Sequence, residues 1–170
     1  MLYTFGPVHW DAQGYDKFTI GSFWAISIMA EVTLFSFSNA LVNRFGPIVL
    51  IMVGISGGVI RWVFMAEDFG LGVVAVLQAF HAISFAMVHL GTMHYIRQTV
   101  PAGLRNSAQG LYAAISGGIA LSGSMWLSGV LYDELLGKTY LVMAAISLVA
   151  LSFALALKRI SPTTLVMADT

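Results

Sequence analysis

The feature that most constrains the fold is a series of five long apolar runs separated by short polar breaks. The runs cover residues 18–42, 47–66, 71–96, 107–132 and 139–157. The hydrocarbon core of a bilayer is about 30 Å thick, and a helix needs roughly 20 apolar residues to cross it. Each run therefore predicts one transmembrane helix, and together they predict an all-α integral membrane protein with a bundle of five full spans.

The composition is typical of a membrane protein and argues against nucleic-acid binding and several classes of enzyme. Of the 170 residues, 58% are hydrophobic and 9% are charged, whereas soluble domains have roughly 25% charged residues. Basic and acidic residues balance at 8 each, so the chain has no net positive field that would hold nucleic acid. It has no cysteine, and it lacks the sequence motifs of metalloproteases, serine hydrolases and P-loop proteins. We therefore expect no nucleic-acid partner, no enzyme activity, no metal and no cofactor.

The basic residues between the runs predict the orientation in the membrane. One face has Arg44, Arg97, Arg105, Lys158 and Arg159, whereas the other has Lys17 and Lys138. Loops rich in lysine and arginine remain on the cytoplasmic side. We therefore expect a multi-pass protein of the cell (inner) membrane with a cytoplasmic C-terminus, in which residues 158–170 form a cytoplasmic tail.

The first ten residues are apolar but too few for a crossing. Residues 1–8 would cover only about 12 Å as a helix. They have neither the basic start nor the cleavage site of a signal peptide. We interpret residues 1–10 as the outer end of a truncated sixth helix, and we expect further sequence upstream.

Two charged side chains lie inside predicted spans. Glu31 is near the middle of the first span and Arg61 lies within the second, and each costs about 2.5–3.5 kcal/mol at a helix centre on insertion scales. Their predicted depths differ by about 12 Å. A contact would therefore need helix tilt, the long arginine side chain or a third group between them. Such residues usually mark a functional site, although a purely structural ion pair is the alternative.

The third span supplies candidates for the third group. Gln78, His81, Phe85 and His89 fall within an arc of about 80° on a helix. A face with these polar groups cannot face lipid. Histidine titrates near physiological pH, which suits a proton relay. On the first span, Trp24 shares the helical face of Glu31.

Small residues predict close helix packing in two spans. The second span contains Gly54-x-x-x-Gly58, a pattern typical of associated membrane helices. The fourth span is rich in glycine, alanine and serine, including Gly117, Gly123 and Gly129. We expect both spans to pack closely against neighbouring helices.

Several of these residues form a pattern that is similar to a known family. Ala30-Glu31-Val32, Arg61-Trp62, Gln78-x-x-His81 and His89 occur on consecutive spans. The chain resembles the C-terminal half of a major facilitator superfamily permease, most closely the 3-phenylpropionate transporter group and, more distantly, lactose permease. The resemblance runs over nearly the whole chain. It implies that residues 1–10 end helix 7, that the five runs are helices 8 to 12, and that an N-terminal six-helix half is the missing partner.

The resemblance also implies a function and a set of site residues. It implies a proton-coupled symporter in the lipid bilayer that moves a small organic solute, and it favours an aromatic carboxylate such as phenylpropionate. Proton coupling would involve Glu31, Arg61 and His81. Substrate binding would involve Arg61, Gln78, His89, Trp24 and Phe85. Lactose permease has its proton-binding carboxylate three residues after the histidine, where this chain has Ser84, so Glu31 or a histidine would have to bind the proton.

Two other functions fit the same residues. A membrane redox protein would bind haem through His81 and His89. These two side chains lie about 12 Å apart along one helix, whereas ligands in helical bundles usually come from facing helices. A non-transporting membrane scaffold would use Glu31 and Arg61 for stability alone.

Overall fold

The computed structural model describes residues 2–161, apart from the side chains of Thr4 and Asp133, and this part of the chain is helical without strands. Its α-helices are α1 Leu2–Ala12, α2 Lys17–Ser36, α3 Ser38–Phe45, α4 Pro47–Met65, α5 Leu71–Ala79, α6 Met87–Thr99, α7 Arg105–Ala113, α8 Leu121–Leu135 and α9 Thr139–Ile160. Two π-helical segments, Ala82–Ala86 and Ala114–Ala120, connect α5 to α6 and α7 to α8. Most of the predicted tail at 158–170 lies outside the described residues.

Five helical stretches of the described part are long and apolar enough to cross a membrane. They are Lys17–Ser36, Pro47–Met65, Leu71–Thr99, Ala102–Tyr132 and Leu136–Ile160. Each corresponds to one predicted run, and the predicted all-α bundle is confirmed. Only a short polar break separates each stretch from the next. The chain therefore turns back after each stretch, and consecutive spans run antiparallel.

The structure divides the first predicted run into two helices. α2 ends at Ser36, and Phe37 adopts φ −102° and ψ 11° before α3 begins. The Ser36 hydroxyl donates to the carbonyl oxygen of Val32 at 3.0 Å. Such bonds from serine to the preceding turn often bend a helix. The end of the predicted 18–42 helix therefore forms part of a separate short helix.

Glycines bring α4 close to the third span. A β-carbon on Gly91 would lie 2.6 Å from the carbonyl oxygen of Pro47. A β-carbon on Gly54 would lie 2.9 Å from the backbone nitrogen of Val88. Neither position has room for a larger residue, so the close packing predicted for the second span is confirmed. α4 also packs along α9, where Tyr140 is fully buried.

The fourth span differs from the prediction of close packing. A β-carbon on Gly117, Gly123 or Gly129 would meet no atom within 4 Å. Large side chains on this span are also exposed, including Ile119 and Trp126 at 73% and 72%. Within the described part of the chain, these three glycines are therefore not used for packing against other helices, whereas Ser128 of the same span is buried.

Aromatic side chains form a core near the end of the bundle that has the acidic loop residues, which we call the acidic end. Trp10 meets Phe23 at a centroid distance of 5.0 Å, and Trp62 stacks on Tyr140 at 5.8 Å. At the same end, Lys138 pairs with Glu67, and His9 pairs with Asp68. The opposite end, with Arg44, Arg97, Arg105, Lys158 and Arg159, is the basic end.

Candidate functional site

Arg61 is buried inside the bundle with no exposed surface. Its guanidinium donates through three different nitrogen atoms: Nε to the carbonyl oxygen of Leu77 at 2.8 Å, NH1 to His81 Nδ1 at 3.0 Å, and NH2 to Gln78 Oε1 at 3.2 Å. A buried charge is tolerated only when it is paired and hydrogen-bonded. α5 and the residues just after it supply all three acceptors.

His81 connects Arg61 to Glu31. Its Nε2 lies 2.8 Å from Glu31 Oε1, and its Nδ1 faces the arginine. Of the three ways of making this contact that the sequence left open, the structure has a group between the two charges, and that group comes from the third span. The helix changes to the π form directly after His81, at Ala82.

The hydrogen bonds determine which nitrogen of His81 has the proton. Arginine has donors only, so Nδ1 must accept from Arg61. Nε2 then has the hydrogen and donates it to the Glu31 carboxylate. His81 is thus a neutral bridge between a carboxylate and a guanidinium. A second proton on His81 would remove the acceptor that Arg61 uses.

Gln78 connects this row of side chains to α2. It has no exposed surface, and its Oε1 accepts from Ser27 Oγ at 2.9 Å as well as from Arg61. Its Nε2 is buried without a hydrogen-bond partner among the described residues. Ser27 was not among the predicted site residues, although it lies one helical turn from Glu31 on the same face.

A cavity of about 270 Å³ opens beside Arg61 and His81. Its wall includes Arg61, His81, Ser84, Phe85, Tyr3 and Ser124. Phe85 stacks on the His81 ring at a centroid distance of 5.2 Å and is 46% exposed. The Ser84 hydroxyl donates to the His81 carbonyl oxygen at 3.3 Å. Sequence reasoning missed both Tyr3 and Ser124. Tyr3 lies in the N-terminal segment that is too short for a crossing, and Ser124 resembles the other serines of the fourth span.

Trp24 and His89 lie outside the cavity wall. Trp24 stacks on Tyr3 at 5.2 Å, so it supports a cavity residue from behind. His89 lies between Phe85 and Tyr112, with centroid distances of 6.1 Å and 5.8 Å. Of the five predicted substrate-binding residues, the structure therefore places Arg61 and Phe85 at the cavity, and it places Gln78 behind Arg61.

The same geometry is unfavourable for haem. Both ring nitrogens of His81 are occupied, one by Arg61 and the other by Glu31. Iron ligation would require breaking one of these contacts and would leave a buried charge without its partner, which is strongly destabilising.

Comparisons with known proteins agree with this architecture. Residues 1–142 match the model of the MFS_1-like family. The chain is also 30% identical over 149 residues to a protein of Escherichia coli (strain K12) named "Probable 3-phenylpropionic acid transporter". That alignment covers 88% of the chain and 39% of the relative, so the chain spans about two fifths of that protein's length. No solved structure matches the chain.

Proposed function

The chain belongs to the MFS_1-like family of the major facilitator superfamily, and from this premise we propose that it forms the C-terminal half of a proton-coupled secondary transporter. One observation carries the proposal. Glu31, His81 and Arg61 form a continuous row from a carboxylate through a neutral imidazole to a guanidinium, and this row borders a cavity. Intramembrane ionisable residues of this kind typically serve proton relays or substrate pathways.

Charge balance gives the coupling mechanism. With Glu31 ionised, its negative charge offsets the positive charge of Arg61, and the cluster is neutral overall. Protonation of Glu31 leaves the guanidinium as the remaining formal charge. An anion in the cavity then interacts favourably with Arg61, so the proton and the anion favour each other's binding and move together.

Glu31 is the group that binds the proton in this mechanism. His81 cannot take a second proton without losing its bond to Arg61, and two neighbouring cations would repel each other. A protonated Glu31 still accepts from His81 Nε2 through its carbonyl oxygen. Glu31 can therefore change its charge without disrupting the other hydrogen bonds of the row. Proton coupling then does not require a carboxylate at the position of Ser84.

The lining of the cavity favours a small aromatic carboxylate as the substrate. Arginine pairs with a carboxylate through its planar fork of donors, and the three bonds described above use three of the five N–H groups of Arg61. Phe85 and Tyr3 add aromatic faces to the cavity wall. This choice also agrees with the printed name of the E. coli relative.

We further propose that the site works together with a second helical bundle. Transporters of this kind place their substrate near the bilayer midplane between two halves. The chain corresponds to 39% of the E. coli relative, and the cavity opens beside the half-exposed Phe85. A six-helix N-terminal half would cover that opening.

A proton-linkage experiment tests the proposed function. The chain in lipid nanodiscs is titrated with 3-phenylpropionate by calorimetry in buffers of different ionisation enthalpy. We expect uptake of about one proton per bound anion at a pH where Glu31 is ionised. Glu31→Gln should bind the anion without proton uptake, because its amide resembles the protonated acid, whereas Glu67→Gln at the exposed acidic end should behave as wild type.

Three outcomes would contradict the proposal. They are anion binding without proton uptake in the wild type, unchanged proton uptake in Glu31→Gln, and no binding by the chain together with its N-terminal half. If Glu31→Gln and Arg61→Ala changed only the stability of the chain, the scaffold function would be favoured.

A further inference from the structure

A second concave surface lies on a different face of α4 from the cavity. It is an apolar groove of about 430 Å³ whose lining includes Val49, Val53 and Ile60 of α4, Phe80 and Ile83 of the third span, and Lys158 at the end of α9. The inward face of α4 instead presents Arg61 and Gly58 to the cavity. The proposed transport site does not use the groove.

The length of the groove matches one leaflet of a bilayer. Val49 and Ile60 are eleven residues apart on α4, which corresponds to about 16 Å along the helix. Half of a hydrocarbon core is about 15 Å. Val49 is near the start of α4 at the basic end and Ile60 lies five residues before its end at Met65, so the groove runs from that membrane surface to about 6 Å past the middle of the helix.

The charge at the mouth of the groove is positive. Lys158 is exposed, and it is the charged member of an otherwise apolar lining that contains one serine. The carboxylates of the described residues lie at the acidic end or at Glu31, so no acidic side chain of the described part faces Lys158. Four arginines occupy the same basic end.

We propose that this groove binds an anionic phospholipid, with one acyl chain along α4 and the phosphate paired with Lys158. The groove is apolar over about the thickness of one leaflet, so it fits an acyl chain that enters from the surrounding membrane. Val53 and Ile60 are 43% and 50% exposed, so a bound chain would cover them. The position of the ammonium group at the membrane-surface end matches the position of a lipid head group.

The first test measures lipid affinity by native mass spectrometry of the detergent-solubilised chain, with phosphatidylglycerol and phosphatidylcholine as probes. One basic residue near an anionic surface adds about 1 kcal/mol, which corresponds to about a fivefold difference in Kd. We expect Lys158→Gln to weaken phosphatidylglycerol binding about fivefold and phosphatidylcholine binding by less, because the choline ammonium already offsets the phosphate charge of that zwitterionic lipid. Arg159→Gln removes the neighbouring charge, which does not line the groove, and serves as the matched control.

The second test uses the wild-type chain and phosphatidylglycerol with a photoreactive acyl chain. We expect crosslinks at positions 49–60 of α4 and few on the separate exposed surface at Phe153 of α9, which does not line the groove and is 71% exposed. Equal effects of Lys158→Gln and Arg159→Gln would overturn the proposal. So would crosslinks spread evenly over both surfaces.

Discussion

Replacing Arg61 by lysine separates the geometry of the site from its charge. The guanidinium donates through three nitrogen atoms to three separate acceptors, on Leu77, Gln78 and His81. A lysine ammonium has one nitrogen and can reach about one of these positions. Each hydrogen bond to a charged group contributes about 1.5–3 kcal/mol, so losing two of them should lower the free energy of unfolding by about 3 kcal/mol or more.

The assay is reversible unfolding of the chain in mixed micelles, followed by circular dichroism. Arg97→Lys is the matched control, because Arg97 is exposed at the basic end and exposed substitutions usually change stability by less than about 0.5 kcal/mol. If Arg61→Lys were as stable as Arg97→Lys, the three-point hydrogen bonding of Arg61 would not stabilise the fold, and the reasoning would be refuted.

Three further changes have defined outcomes. In the complete transporter, Glu31→Gln should abolish acid-driven accumulation of substrate while exchange across equal pH continues; full accumulation against a gradient would exclude the coupling role. Gly91→Ala should lower the free energy of unfolding by about 1–3 kcal/mol through overpacking, because its methyl group would contact a backbone carbonyl of α4; Gly117→Ala, in open space, should be neutral or slightly stabilising in the same unfolding titration, and equal losses would contradict the packing. Hydrogen bonds from the side chain of Thr19 and, to a smaller extent, from its backbone amide lower the pKa of the Asp16 carboxyl group. Asp16 therefore stabilises the first turn of α2 at neutral pH, and this contribution is lost as the pH falls through the lowered pKa. Hydrogen exchange of that turn should become faster in acid and in Asp16→Ala at neutral pH, and unchanged exchange would be inconsistent with the cap.

The spans and the central ionic residues were predictable because their physical signals are local. An apolar run of about 20 residues has few alternatives to a transmembrane helix. An ionised group within such a run needs a partner, and the helical spacing of Gln78 and His81 placed candidates on one face. The predicted depths of Glu31 and Arg61 differed by about 12 Å, which indicated that a contact would need helix tilt, the long arginine side chain or a third group between them.

The remaining features depend on how the helices pack. The 100° periodicity placed His89 on the same stripe as His81, and the stacked rings of His81, Phe85 and His89 keep that stripe. Periodicity could not show where along the stripe the cavity ends: Phe85 lines the cavity and His89 does not. The cavity residues Tyr3 and Ser124 come from helices far apart in sequence, α1 and α8, so only the assembled bundle brings them together.

A single NMR titration tests the central claim that Glu31 changes its protonation while His81 stays neutral. The chain is reconstituted in bilayers with isotope-labelled glutamate and histidine, and the Glu31 carboxyl carbon and both His81 ring nitrogens are followed with pH. We expect the Glu31 signal to titrate while His81 keeps hydrogen on Nε2 alone. An imidazolium at His81 beside a permanently ionised Glu31, or a hydrogen on Nδ1, would contradict the account.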